Sequence, residues 1–189
     1  MTRRHLALVP VVAAALAAMV ACTGSPETSK KDSPAVTAGC SAQNANPSAP
    51  VDDTDLNIVA DEIRPKAQAD FKDVYAGVEV VSEDSRVRVY RKPSGAFDDW
   101  IRKTFAERCV ELANAKHSAA ELATLTAKVE GDIGYWAELG INITGTAAKQ
   151  DGSALVVGVE KDVVGRAKKE LPERYGTDIP IIIEENGPA

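Results

Sequence analysis

Histidine occurs twice in this chain of 189 residues, methionine twice and cysteine three times, and aromatic residues make up 5% of it. His5 falls in an apolar leader, so His117 is the one histidine of the remaining chain. A zinc centre takes three or four ligands from Cys, His and carboxylates, and this supply does not reach that number. His117 directly precedes a helix N-cap signal, which gives it a structural or solvent-exposed role. A Ser-His-Asp arrangement presents its serine on a strained turn, and no G-x-S-x-G is present. The D-x-D-x-D-G calcium loop and the G-x-x-x-x-G-K phosphate loop are also absent. Gly131 and Gly134 lie inside a helical pattern, where they permit close packing or a bend. The paired acids Asp52-Asp53, Asp98-Asp99 and Glu184-Glu185 are neighbours whose side chains point apart, so they read as surface charge. The expectation is a chain with no catalytic residue, no metal and no cofactor.

Long apolar runs are equally few. The longest, Leu6 to Ala21, carries no charge and follows Arg3 and Arg4. It is shorter than the ~20 residues that span a bilayer and ends in small residues, the pattern of a cleaved signal. Residues 1–21 are therefore read as a signal peptide. Met19-Val20-Ala21-Cys22 resembles a lipobox, which makes Cys22 the expected site of lipidation. Each buried methylene of its acyl chains adds roughly 0.8 kcal/mol of membrane affinity. The alternative is a plain secretory signal with Cys22 as an ordinary cysteine.

Removal of the leader takes Arg3 and Arg4 from the 22 basic residues and none from the 28 acidic ones, leaving a net charge of −8. Such a balance is unsuited to phosphate backbones, where basic residues displace counterions, so no nucleic-acid partner is expected. The one basic stretch, Arg86, Arg88, Arg91 and Lys92, lies on a strand pattern that sends Val87 and Val89 inward. Its arginines are expected on a solvated outer face.

Residues 22–52 are rich in Ser, Pro, Ala, Thr and Asn and lack aromatics. They are read as a lipid-anchored disordered tether, because they bury too little apolar surface to offset ordering. Cys40 and Cys109 remain as a possible disulfide, worth about 4 kcal/mol on the chain-entropy model. The alternative is two free thiols.

The remaining residues follow one pattern twice. Leu56, Val59, Ile63, Ala67 and Phe71 recur at helical spacing, with Pro65 expected to kink or divide the helix. Val78, Val80, Val87 and Val89 alternate as a hairpin, Ser94 caps a helix through Phe97, Trp100, Ile101 and Phe105, and Val110 and Leu112 form a strand. In the second half, Ser118 and Glu121 form a capping box. Leu122, Leu125, Val129, Ile133 and Trp136 follow as one stripe, ended by Gly140. A hairpin turning at Asp151-Gly152, a helix from about Asp162 to Arg174, and the strand IPIIIEE, expected to be buried on both faces, complete it. The fold class is α+β: two tandem α-β-β-α-β repeats, residues 53–116 and 117–189, with helices on one face of mainly antiparallel sheets. Assigning the Val110 strand to the second half instead gives the ferredoxin-like order.

His117-Ser118, Glu121-Leu122, Gly140-Ile141, the run VVGVE from Val156 and Arg174-Tyr175-Gly176 carry a resemblance. Over about seventy residues the chain is similar to a propeptide-like module that precedes trypsin-like serine proteases in actinobacterial secreted proteins. No serine-nucleophile motif follows here, so the resemblance implies action on a separate protease. The element order also resembles that of the BON family of envelope modules, which implies a lipid or small-ligand site. The expected function is a non-enzymatic membrane-anchored lipoprotein outside the cytoplasm, with an extracellular protein as partner.

Overall fold

The computed structural model describes residues 35–45 and 52–187, so the signal peptide and Cys22 lie outside the described residues. The first sheet is built on α2 (Asp53–Asp70), the hairpin β2 (Tyr75–Val81) and β3 (Arg86–Arg91), α3 (Gly95–Thr104) and β4 (Val110–Asn114). Asp52 caps α2 by accepting from the Thr54 N–H. Pro65 does not divide this helix. It is exposed, so the Asp61 carbonyl that loses its partner can turn to water. Leu56, Ile63 and Ala67 from α2 meet Val78, Val87, Val89 and Val110 from the strands, and Phe97 and Ile101 from α3, in one core. Phe71, Phe97 and Trp100 pack edge-on and stacked beside it.

Part of the expected tether is ordered. β1 (Ala35–Val36) pairs antiparallel with β4, and α1 (Ala38–Ala45) follows it. Three local causes hold a segment whose composition argued for disorder. Cys40 and Cys109 are joined in a disulfide. Thr37 donates its N–H to the Val110 carbonyl and accepts the Val110 N–H on Oγ1. Gly39 lies so close to the Arg108 backbone that a side chain would collide with it.

The second sheet is built on α4 (Ala119–Gly131), α5 (Ile133–Glu138), the hairpin β5 (Ile143–Ala148) and β6 (Leu155–Val159), α6 (Val164–Tyr175) and β7 (Ile181–Glu185). The capping box is complete: Ser118 Oγ accepts the Glu121 N–H, and the Glu121 carboxylate accepts the Ser118 N–H. Leu125, Val129 and Trp136 meet Leu155, Val157 and Val159, with Ala167, Leu171 and Ile183, in a second core.

The strand orders are β1-β4-β3-β2 and β5-β6-β7. Each hairpin is antiparallel, as is β1 on β4, while β4 runs parallel to β3 and β7 parallel to β6, so antiparallel pairings predominate in two mixed sheets. A helix between the second and third strands returns the chain to the same end of the sheet, and that forces the parallel pairing. Since β4 belongs to the first sheet, the ferredoxin-like grouping does not form. The hairpins match in register: Tyr75 faces Arg91 as Ile143 faces Val159, and each has a bulge two residues into its first strand.

Two further expectations are corrected. The stripe from Leu122 to Trp136 is two helices, broken at Asp132 beside Gly131, which leaves Ile133 on the surface. The strand buried throughout is β6, whereas β7 is an edge strand with only Ile183 buried. A run of isoleucines reports apolar content and cannot report position in a sheet. The halves meet where the His117 N–H bonds the Gly152 carbonyl, Leu122 is fully buried, and Lys92 Nζ reaches Glu121 Oε1 at 2.7 Å. Gly152, at φ +70°, packs against Ala76 and Ala115, leaving no room for a side chain.

Candidate functional site

The basic stretch singled out in the sequence neutralises itself. Arg86 and Arg88 flank the buried carboxylate of Glu111, at 3.2 and 3.1 Å, and Arg88 also meets Glu79 at 3.1 Å. Tyr90 donates its hydroxyl proton to the same Glu79. Arg91 is not on that face. It alternates with the inward valines, and its guanidinium holds both carboxylate oxygens of Asp98 at 2.8 and 3.0 Å, with Asn114 as a third partner. Asp98 is accordingly a structural anion at the start of α3 and not a surface charge. His117 serves the junction through its backbone. Among the described residues no group of three His, Cys, Asp or Glu side chains could hold a metal ion. No described helix is long and apolar enough to cross a membrane.

A different set of residues converges between α5 and α6. The break at Asp132 turns α5 so that Trp136 enters the core while Ile133, Tyr135 and the following Leu139 stay 41–43% exposed. A branched hydrogen-bond network fixes this arrangement. Trp136 Nε1 donates to the Tyr175 hydroxyl at 2.7 Å, and that hydroxyl donates to Asp132 Oδ2 at 3.0 Å. Arg174 Nε donates to the same oxygen at 2.8 Å, and its guanidinium lies 4.0 Å from the centre of the Tyr135 ring. The bond from Arg174, then that from Tyr175, holds the Asp132 carboxyl below its ordinary range, so it is ionised at neutral pH. Burial, foremost, pushes the Tyr175 phenol up, which keeps its proton in place for donation. Arg166 donates to the Leu139 carbonyl at 3.1 Å, satisfying a backbone group at the end of α5, and also pairs with Glu170.

These residues border a groove of about 440 Å³ lined by Tyr135, Trp136, Leu139, Glu170, Glu173 and Arg174. Its lining combines Tyr135, Trp136 and Leu139 with the charged side chains of Glu170, Glu173 and Arg174. A second depression of about 280 Å³ is lined by Tyr175 together with Leu125, Lys128, Asp178 and Ile179 among others. The groove can seat an apolar side chain with a cationic neighbour.

Sequence reasoning missed this group because it treated Ile133 and Trp136 as one buried stripe. The available signal was the pair of glycines around Asp132, which weakens a continuous helix there. Comparison of the chain with protein-family models and with curated proteins gave no match.

Proposed function

We propose that this chain is a non-enzymatic lipoprotein, held outside the cytoplasm by a lipid on Cys22, which docks another extracytoplasmic protein through the α5–α6 groove. The exposed Tyr135 and Leu139 in the lining of the groove, with Ile133 exposed two residues before Tyr135, carry the reading. Three of the five large exposed hydrophobics among the described residues fall within seven positions. Preformed aromatic pockets of this kind are what interface anchors use. The matching hairpin registers and bulges support reading the halves as two copies of one module. The propeptide-like residues from His117 to Glu185 make a secreted trypsin-like protease the first partner to test.

The experiment is capture from host secreted and surface proteins with the full chain, beside a variant carrying Tyr135→Ser and Leu139→Ser. The expected result is one enriched extracellular protein, lost from a variant whose circular dichroism is unchanged. Equal capture by both proteins, or hydrolytic activity abolished by a single substitution, overturns the reading.

A second reading, a BON-like module binding a lipid or small ligand, draws support from the shared element order and the depression beside Tyr175. A ligand raising the melting temperature in the absence of any protein would favour it.

A further inference from the structure

Sheet edges expose unpaired N–H and C=O groups, and natural proteins blunt them with bulges, short strands, charged side chains or proline. Three edges here are treated in this way. β2 carries a bulge between Tyr75 and Gly77 and has the Gln150 backbone against it. β5 carries a bulge between Ile143 and Gly145. β1 is two residues long. β7 differs: its register with β6 runs unbroken from Ile181 to Glu185 without a bulge, and its charges, Glu184 and Glu185, stand only at its C-terminal end, leaving Ile181 to Ile183 uncharged.

The direction of its free groups follows from the bonds it already makes. The Pro180 carbonyl accepts from the Leu155 N–H, and the Asn186 N–H donates to the Val159 carbonyl. Even-numbered residues therefore face β6, and Ile181, Ile183 and Glu185 turn their N–H and C=O groups to the open edge. No strand lies there among the described residues. In the first sheet the corresponding strand is β4, and its edge is filled. Val110 stands beside Val87 as Ile181 stands beside Leu155, and its N–H and C=O are both bonded by Thr37 at the end of the antiparallel β1. One half thus shows what this edge takes, an antiparallel extended strand, while no described residue supplies one to the other half.

We infer that β7 is a pairing edge whose occupant is β7 of a second copy of this chain, giving a continuous six-stranded sheet. Register and charge favour self-pairing. Centred on Ile183, an antiparallel pair sets Ile181 and Glu185 opposite each other, twice, and closes all six outward groups. Ile182 of one copy then faces Glu184 of the other, and no carboxylate faces a carboxylate. A shift of two residues toward the C-terminus sets Glu184 against Glu184, a directly opposed like pair, which is unfavourable. The reverse shift leaves Glu185 unpaired. One register therefore satisfies both backbone and charge.

The test is oxidative cross-linking of the full chain in the host envelope with cysteines at positions 182 and 184 (Ile182→Cys with Glu184→Cys), beside a control variant, Ala148→Cys on the opposite edge. The expected result is a species of twice the chain mass in the first and not in the control. Monomer only, equal dimer in both, or an adduct with a different protein overturns the inference. A cysteine-free measurement gives a second decision. Ile182→Lys sets an ammonium against Glu184 of the partner, so the dimer fraction in sedimentation rises. A fall, the usual effect of an edge lysine, overturns the register.

Discussion

Removal of the Cys40–Cys109 disulfide tests how the N-terminal segment is held. The bridge joins residues 69 positions apart, so the closed loop spans almost half of Asp32–Ala189, the compact unit that contains it. On the chain-entropy model a loop of that length contributes about 4 kcal/mol by restricting the unfolded chain. With unfolding entropy of roughly 2 cal/mol/K per residue over that unit, the loss lowers the melting temperature by about 10–15 °C. The variant is Cys40→Ala with Cys109→Ala, followed by scanning calorimetry and amide exchange. Exchange at Val110 should accelerate beyond the global change, because its N–H is held by Thr37 Oγ1 on the segment that the bridge retains. Thr37→Ala provides the comparison. It removes the hydrogen bond but keeps the covalent link, and should cost about 1 kcal/mol. A fall of less than about 3 °C for the double alanine variant, well below the range derived from the entropy model, would refute the reasoning. So would an unchanged Val110 amide, which would mean that β1 does not depend on the bridge.

Two further outcomes follow from charges within the fold. Asp98→Asn leaves the Arg91 guanidinium, whose side chain is 7% exposed, without its ionic partner and with one acceptor oxygen at position 98 instead of two, and should destabilise by about 3 kcal/mol in urea unfolding. Replacing both residues with apolar ones of similar volume should cost less than the single change, and the opposite order would contradict a buried-pair account. The Glu121 carboxyl is held below its ordinary 4.5, first by the bond from Lys92 and then by the Ser118 backbone N–H, against some desolvation. A carboxyl depressed in the folded state stabilises at pH above its unfolded value and loses that contribution as pH falls through the folded one. Glu121→Gln should therefore lower stability at pH 7 and converge with the parent in acid. A constant difference across pH would show that the charge is not the cause.

The caps, turns and core stripes were legible because they depend on residues close in sequence. Ser118 and Glu121 satisfy each other's backbone within one turn. Gly152 takes φ +70° in the second hairpin where Asp151-Gly152 predicted a turn. Val87 and Val89 are fully buried, as their alternation required. The candidate site was not legible. Asp132, Arg174 and Tyr175 are about forty residues apart along the chain and meet only because α6 returns beside the break between α4 and α5. Arg91 was read with Arg86 and Arg88 because charge alone suggested a surface, yet its place in the alternation already put it on the valine side.

By itself the sequence determined the α+β class, the order of the main helices and strands from α2 onward and most of the residues that face a core, Ile133, Arg91 and β7 being the exceptions. These follow from local backbone preference and from apolar periodicity. Tertiary structure decided which strands became neighbours and hence the parallel pairing of β4 and β7, since pairing depends on where each connecting helix returns the chain. It also decided that a polar, proline-containing segment would be ordered around Thr37 and Cys40, where a covalent bond and a strand edge supply what composition did not. The same cause separates β6 from β7. Both are apolar strands of five residues, but one has neighbours on both sides and the other on one, and only the assembled sheet makes that distinction.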